Sequence, residues 1–322
     1  AAMTAVSYFT FPGGAAGQHP FHVHHHGSTS LSFVETHAGS GVAAPVFKVD
    51  TTTNTFGASV MATSEPTGLA SSPDGSKLYI ATYGNVGTPS GIDVVRVSDM
   101  TLISSIPLLY SPAGSPENVS PVNIVVSPDG MHAYVVGQAD DALHVVNLVT
   151  GVEEDSQTLG SGTYWGSGDG SDQIAISPDG SKVFITQHMS FSPYFVSRVQ
   201  VIATNDIHHP HTLNALASGG DFDQPVGVTL SPDGTRLYVS SAAADEVLIF
   251  DPRTEAYIGK VAVADPSWVA VSPDGTQFVV SSGSQSVAVF SASTRTLLQS
   301  LDLYPSRRHS NSRSPTMEQN YS

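Results

Sequence analysis

The sequence predicts an all-β protein, a β-propeller of four-stranded antiparallel blades in which six repeats are visible. The first observation is a Ser-Pro-Asp-Gly tetrad that occurs five times, beginning at Ser72, Ser127, Ser177, Ser231 and Ser272. The second is its spacing of 55, 50, 54 and 41 residues. The third is that each tetrad lies between two short β-rich runs and that two more runs follow. Repeats of about 40 to 50 residues with four short strands are typical of propeller blades.

The tetrad has a local physical cause. Proline presets φ at the first corner of a turn, aspartate binds nearby backbone N–H groups, and glycine adopts the positive φ that closes the turn. The tetrad therefore joins the first two strands of each blade, and we expect its aspartate to be structural. Stacked blades bury both faces of each sheet, which explains why the runs are apolar without strict alternation.

A leading proline marks the start of the innermost strand. It precedes the tetrad serine by six residues in four units, at Pro66, Pro121, Pro225 and Pro266, and Ser171 takes its place in the remaining unit. The same pattern locates a degenerate first unit. There Pro20 leads the run FHVHH, a His-rich turn replaces the tetrad, and SLSFVE and PVFKVD supply the next strands.

One of the five repeat units reads QPVGVTLSPDGTRLYVSSAAADEVLIFDPRTEAYIGKVAV. This unit and the four similar ones resemble the YVTN family of β-propeller repeats, and more loosely the lactonase-like propellers. The resemblance covers roughly residues 64 to 303. It implies the fold but not the activity, because this architecture hosts enzymes, binding modules and surface scaffolds. The lactonase-like proteins favour seven blades, so a seven-bladed closure is the alternative, to which residues 4–11 could add one strand.

The chain divides into three predicted parts. Residues 1–18 form an N-terminal strand or extension, residues 19–303 form the propeller, and residues 304–322 form a polar tail that we expect to be disordered.

Composition restricts the function. Only 12% of the 322 residues are charged, yet the net charge is −16. Such a surface repels nucleic acid and anionic membranes, so we expect no nucleic-acid partner and no membrane insertion. The absence of cysteine excludes disulfides, Cys-ligated metal sites and thiol catalysis. An acidic chain rich in Ser and Thr favours an extracellular, cell-surface or periplasmic location.

One face of the propeller is predicted to carry the function. The links between the second and third strands and between blades emerge on the face opposite the tetrads, and we call it the working face. Its long irregular segments belong to the middle blades and are residues 82–91, 110–120, 159–172, 187–197 and 217–224. We therefore expect a binding surface on the second to fourth blades.

The position two residues after the leading proline faces the mouth of the central channel. Around the ring it is occupied by His22, Gly68, Asn123, Gln173, Gly227 and Trp268. Four residues of this ring, His22, Asn123, Gln173 and Trp268, carry polar or aromatic side chains. Together with Trp165 and Tyr194 from the loops, they are candidates for binding a small polar ligand. The alternative is that the polar groups simply bind channel water.

The histidines suggest a metal site. His22 and His24 share one face of an extended strand, and such a pair suits copper or zinc. The run HPFHVH looks like a motif of multicopper oxidases, but those enzymes need a cysteine that this chain lacks. Calcium at GSGDGSD is less favoured because that run lacks EF-hand spacing. The alternative for His22 and His24 is a polar strand without metal. A second cluster, at residues 208–211, is expected in an outer turn on the tetrad face.

His188 is the candidate catalytic base, with Asp169, Asp172 or Asp223 as acidic partners. The alternative is an exposed loop histidine. Three functions remain open. The first is a surface module that binds protein or carbohydrate, or that self-assembles. The second is a metal-assisted hydrolase or lyase that acts on a lactone or sugar. The third is a metal-binding protein. Whether the chain is an enzyme is left open by the sequence.

Overall fold

A computed structural model describes residues 19–25, 30–37, 42–84, 89–109, 119–160, 173–191, 194–213, 222–283 and 286–302. These residues form 24 strands, and none of them is helical. The described part of the chain accordingly contains no helix long and apolar enough to cross a membrane. Residues 4–11 and the tail at 304–322 lie outside the described residues.

The first three blades follow each other along the chain. Blade 1 consists of β1 (His19–His25), β2 (Leu31–His37), β3 (Pro45–Asp50) and β4 (Thr55–Met61). Blade 2 consists of β5 (Glu65–Ser71), β6 (Lys77–Tyr83), β7 (Gly91–Arg96) and β8 (Thr101–Pro107). Blade 3 consists of β9 (Pro121–Val126), β10 (His132–Gly137), β11 (Ala142–Asn147) and β12 (Val152–Thr158).

The last three blades repeat the plan. Blade 4 consists of β13 (Ile174–Ile176), β14 (Lys182–Phe191), β15 (Tyr194–Ala203) and β16 (Asp206–Thr212). Blade 5 consists of β17 (Pro225–Leu230), β18 (Leu237–Ser241), β19 (Glu246–Phe250) and β20 (Tyr257–Ala262). Blade 6 consists of β21 (Pro266–Val271), β22 (Gln277–Ser282), β23 (Ser286–Ser291) and β24 (Leu297–Asp302).

Each blade is an antiparallel sheet in chain order, so the predicted six-bladed β-propeller is confirmed. The leading prolines Pro121, Pro225 and Pro266 begin the innermost strands β9, β17 and β21, as predicted. A seventh blade is not present among the described residues.

The core lies between the blades. Consecutive innermost strands pack side by side from β1 to β21. The interfaces between consecutive blades each hold an apolar cluster, and Phe33, Tyr134, Phe184 and Phe278 belong to four of them. No packing of comparable extent joins the described strands of blade 6 to those of blade 1.

The tetrads form both a turn and a contact between blades. Asp233 accepts hydrogen bonds from Ser231 Oγ (2.6 Å) and from the N–H of Thr235 (3.0 Å), and these bonds lower the pKa of its carboxyl. Gly234 has a φ of +66° and lies against the ring of Pro178, the tetrad proline of the preceding blade. The repeat therefore sets the stacking of blades as well as the turn.

Two local predictions were wrong. Residues 187–197 were expected to be an irregular loop, but antiparallel pairing of β14 with β15 runs through them up to Phe191 and Tyr194. The second histidine cluster was expected in an outer turn, but it lies on β16, the outermost strand of blade 4. In both segments cross-strand pairing, which depends on the neighbouring strand, overrides the local preference for a turn.

Candidate functional site

A long hairpin in blade 4 distinguishes the working face. The strands β14 and β15 have ten residues each, whereas every other described strand has at most seven. In blades 3, 5 and 6 the second strand ends ten residues after its tetrad serine, whereas β14 continues to Phe191. The pairing continues from Gln187 opposite Arg198 to Phe191 opposite Tyr194. The tip of blade 4 therefore extends past the ends of the equivalent strands.

His188 lies at the base of this hairpin. Its Nδ1 is 3.2 Å from the hydroxyl of Ser197, its partner across the two strands. Burial lowers the pKa of His188 and the charge of Asp223 opposes this effect, so that the pKa stays below its ordinary value. Asp223 itself is exposed. The charge of Asp223 thus acts on His188, and the lowered pKa favours a neutral imidazole at pH 7.

The other predicted members of this neighbourhood are not placed. Trp165, Asp169 and Asp172 lie outside the described residues, as does the whole GSGDGSD run proposed for calcium. Tyr194 is described by its backbone alone, in the register opposite Phe191. Their catalytic, ligand-binding and metal-binding roles remain predictions.

Arg198 lies on the opposite face of the hairpin from His188 and was missed by the sequence analysis. Its Nε donates to Gln187 Oε1 (2.6 Å), and its Nη2 donates to the carbonyl oxygens of Leu159 (2.8 Å) and Gly160 (2.9 Å). Burial lowers the pKa of Arg198, although the charge of Asp141 opposes this effect. The guanidinium stays protonated and is held by three bonds. The available signal was the polar character of residues 198 and 200 within the mostly apolar run VSRVQVIA.

In blades 2 and 4, a polar residue at the same position of the third strand forms hydrogen bonds with the linker that enters the blade. In β7, the carboxylate of Asp93 accepts from the N–H (2.7 Å) and the hydroxyl (2.9 Å) of Thr63. In β15, the amide of Gln200 donates to the carbonyl of Leu159 and to Oε1 of Gln187. These buried hydrogen bonds fix the linkers at the working-face ends of the blades.

Blade 3 uses a charged triad for the same purpose. His144 is fully buried, and its Nε2 lies 3.1 Å from Asp140 and its Nδ1 lies 2.6 Å from Glu153. The second carboxylate oxygen of Glu153 accepts the N–H of Leu109, in the linker from blade 2. A Cβ on Gly137 would lie 2.3 Å from a carboxylate oxygen of Asp140, so only glycine fits beside the triad.

The predicted channel-mouth positions do adjoin one another. The amide of Asn123 donates to Oε1 of Gln173 (2.8 Å), and both residues are buried. A Cβ on Gly68 would come within 2.9 Å of Asn123 Cα, which shows how closely the innermost strands approach. Trp268 is 41% exposed. The two amides are already hydrogen-bonded to each other. Ligand binding at this ring remains a prediction.

Of the predicted metal pair, only His24 has a described side-chain contact, and it is with blade 2. His24 Nε2 is 2.9 Å from the hydroxyl of Ser71, in the innermost strand of blade 2. His22 is described by its backbone, which pairs with Glu35. Burial first, and the nearby charge of Glu65 second, raise the pKa of Glu35 to about 8. Among the side chains that the structure describes, no group of three His, Asp or Glu is arranged to hold a metal ion.

The second histidine cluster contacts carboxylates of the neighbouring blades on the outer edge. His208 lies 3.1 Å from Asp155 of blade 3, and His211 lies 2.8 Å from Glu255 of blade 5. Both histidines are more than half exposed. These contacts connect the outer edge of blade 4 with blades 3 and 5. His208 and His211 are distant in the chain from His22 and His24.

Comparisons with known proteins identify the fold alone. No protein-family model and no curated protein sequence matches the chain. Among solved structures, hydrazine synthase of Kuenenia stuttgartiensis is similar, with a TM-score of 0.52 and 18% sequence identity. The match covers 89% of this chain and 99% of that chain. At this level of identity the similarity supports a propeller and transfers no activity.

Proposed function

We propose that this protein is a binding or assembly module that contacts its partner through the working face of blades 3 to 5, at the extended hairpin of β14 and β15. The partner is a protein or a carbohydrate outside the cell, at the cell surface or in the periplasm, or a further copy of the chain. The acidic, weakly charged composition supports such a location.

The observation that carries this proposal is the extension of the hairpin. Paired strands hold a protruding segment at lower entropic cost than a free loop, because the backbone hydrogen bonds already fix it. The extension includes the aromatic residues Phe191, Tyr194 and Phe195. Aromatic residues are enriched at the contact surfaces of proteins, where a large rigid ring buries area at little entropic cost.

The base of the hairpin supplies polar contacts. Arg198 is held by Gln187 and by two carbonyl oxygens, so that little freedom is lost on binding. His188 and Ser197 form a hydrogen-bonding pair on the other side. Aromatic residues flanked by polar groups are the usual composition of a recognition surface.

A shortened hairpin tests the proposal. Residues 188–197 are replaced by Asn-Gly, which forms a two-residue turn between the paired residues Gln187 and Arg198. The control is Val149→Ser, at a residue that is 76% exposed in a turn on the tetrad face. Binding is measured on arrays of immobilised glycans and extracellular proteins, and self-association by sedimentation velocity.

We expect the wild type and the control to share one binding or self-association signal, and the shortened variant to lose it at least tenfold with an unchanged melting temperature. Equal binding by the shortened variant would contradict the proposal. So would a wild type that neither binds to the arrays nor self-associates.

A second function, hydrolysis or elimination on a lactone or sugar, is favoured by one observation. His188 has a lowered pKa, and its Nδ1 is 3.2 Å from Ser197 Oγ, so a neutral imidazole is available as a general base. Turnover of a lactone panel, with and without added divalent metal, tests it. Activity lost in His188→Gln and retained in Val149→Ser would support the enzyme.

Copper or zinc binding by His22 and His24 is the third proposal. It is supported by their place on one strand opposite Glu35 and Phe33, and by the contact of His24 with Ser71 of blade 2. Elemental analysis of protein without an affinity tag tests it. One metal ion per chain, absent from the His22→Ala/His24→Ala variant, is the supporting result, and metal-free wild type after incubation with copper or zinc is the contrary one.

A further inference from the structure

A cleft opens on the tetrad face between blades 4 and 5. Its volume is about 480 Å³, which lies in the range of pockets that hold small molecules. The tetrad turn of blade 4, at residues 177–179 and 181–182, and that of blade 5, at residues 233–234, form two of its walls. The turn between β19 and β20 forms the third wall through Pro252 and Arg253. We call this feature the tetrad-face cleft.

A proline shapes the outer wall of the cleft. In four blades the turn after the third strand donates a backbone N–H to the carbonyl of its own tetrad turn, from Val97, Leu148, Thr204 and Ala292. Pro252 holds the equivalent position in blade 5, two residues after Phe250 as Ala292 is after Phe290, and it has no N–H. The outer turn of blade 5 therefore lacks the backbone bond that ties the equivalent turns to their tetrads.

Lys182 of blade 4 holds this turn instead. Its Nζ donates to the carbonyl oxygens of Pro252 and Arg253 (both 3.3 Å) and to Oε1 of Glu255 (2.7 Å). Three acceptors match the three N–H groups of an ammonium. Lys182 thus spans the cleft and fixes its outer wall, and its donors are already used by the protein.

Arg253 supplies a cation that faces solvent at the cleft. It is exposed, and no hydrogen bond or ion pair joins its guanidinium to another described side chain, although its charge acts on Asp251. A guanidinium binds a carboxylate through two parallel hydrogen bonds. Arg253 is therefore able to bind an anionic group of a ligand.

The tetrad turns supply two anions. The three hydrogen bonds that Asp179 accepts from described residues all end on Oδ1, from Ser177 Oγ (2.6 Å) and from the N–H (3.0 Å) and hydroxyl (2.8 Å) of Ser181. These bonds lower the pKa of Asp179 to about 2. The pKa of Asp233 is lowered by equivalent bonds. Both carboxylates are exposed and ionised at pH 7, and Oδ2 of Asp179 retains its lone pairs for a donor.

The two signs of charge come from different parts of the cleft. Asp179 and Asp233 lie on turns between the first and second strands, nearer the propeller axis. Arg253 lies on the turn between the third and fourth strands, nearer the outer edge. A ligand with charge of a single sign is attracted at one end of the cleft and repelled at the other, whereas a ligand with both signs is attracted at both ends.

We propose that the tetrad-face cleft binds a small zwitterion of about the size of a dipeptide. The ammonium group of the ligand binds Asp179 and Asp233, and its carboxylate binds Arg253. The cleft lies on the face opposite the hairpin of β14 and β15, so this inference goes beyond the proposed function and does not depend on it.

Titration calorimetry with glycylglycine and triglycine at low ionic strength tests the proposal. We expect the wild type to bind at least one of these peptides at a single saturable site per chain. Acetylating the amino end or amidating the carboxyl end removes one charge from the same peptide and should weaken binding at least tenfold. A wild type that binds neither peptide would overturn the proposal, and so would equal binding of the acetylated and amidated forms.

Substitutions locate the site. Asp179→Asn/Asp233→Asn removes both negative charges and keeps a side-chain oxygen for the turn bonds, and Arg253→Gln removes the cation. Each should weaken binding at least tenfold. The controls are Asp274→Asn, at the same tetrad position in blade 6, and Arg96→Gln, at an exposed arginine of blade 2. Both controls should bind within twofold of the wild type, and equal losses in controls and cleft variants would contradict the assignment.

Two other classes of ligand would give different results. An acidic sugar such as glucuronic acid offers a carboxylate to Arg253 and hydroxyl groups to the aspartates. Tighter binding of glucuronic acid than of either peptide would overturn the assignment of a zwitterion. Putrescine carries two ammonium groups and no carboxylate, and binding as tight as that of glycylglycine would show that Arg253 takes no part. The shortened hairpin tests the working face separately, so failure of one proposal is distinguishable from failure of the other.

Discussion

His144 Nδ1 lies 2.6 Å from Glu153 Oε1, in a place where neither side chain reaches solvent. Burial alone would lower the pKa of His144, but hydrogen bonds and charges from Asp140 and Glu153 outweigh it and raise the pKa to about 9. The imidazolium and Glu153 together hold the linker between blades 2 and 3 through the N–H of Leu109.

His144→Ala should therefore destabilise the protein by about 3–5 kcal/mol at pH 6, because two buried carboxylates lose their partner. The folded pKa of about 9 lies above the ordinary value of 6.5. The contribution of His144 is thus complete below pH 6.5 and is lost as the pH rises through about 9. Urea unfolding at several pH values measures the difference in the free energy of unfolding between wild type and variant. This difference should become smaller as the pH rises from 6.5 to about 9. His208→Ala, at an exposed pair, is the control. A gap that does not depend on pH would contradict the assignment.

Glu35→Gln should reduce the pH dependence of stability between about pH 4.5 and 8. The pKa of Glu35 is about 8 in the folded protein against an ordinary value of 4.5. As the pH rises from 4.5 to 8, the unfolded chain releases this proton and the folded chain keeps it, so stability falls by a few kcal/mol. The variant should lose less stability between these pH values, as measured by chemical unfolding. Glu154→Gln, at a partly exposed pair, is the control. An unchanged slope in Glu35→Gln would show that the carboxyl is ionised.

The tetrad glycines allow turn strain to be separated from packing between blades. Gly234 and Gly275 have φ values of +66° and +69°, but a Cβ would lie 3.2 Å from Pro178 Cδ in the first case and 3.9 Å from Pro232 Cδ in the second. Alanine at either position should cost about 1–2 kcal/mol for the backbone conformation. Gly234→Ala should cost about 1 kcal/mol more for the contact. Thermal unfolding of both variants decides this, and equal losses would mean that the ring of Pro178 accommodates the added Cβ at no cost.

Asn123 and Gln173 are expected to stabilise the channel rim through their mutual hydrogen bond. Replacing either by Ala leaves a buried amide without its partner, at a cost of about 1–3 kcal/mol. The double variant should cost less than the sum of the two, with a coupling of about 1 kcal/mol in a double-mutant cycle. Additive losses would indicate that the two amides act separately and would revive a ligand-binding role for this ring.

Much of the propeller follows from local chemistry. The tetrads at Ser72 to Ser272 carry their own turn geometry, and the leading prolines carry their own φ, so the blade number and strand starts are readable from the chain. Even the degenerate blade that begins near Pro20 follows from this pattern. A repeat whose turns are encoded locally needs no tertiary information to be recognised.

The candidate site depends on contacts between distant residues. Arg198 donates hydrogen bonds to the carbonyl oxygens of Leu159 and Gly160, about 40 residues earlier. The hairpin at His188 forms because two strands pair beyond the end of the blade, which propensity alone does not specify.

The sequence by itself determined the repeat, the blade architecture and the direction of each strand, because turn residues act within a few positions of the chain. Tertiary structure alone decided that Asn123 and Gln173 bind each other and that His144 is charged. These properties depend on burial and on partners about 50 residues away or in other blades, and residue type and spacing along the chain do not contain them.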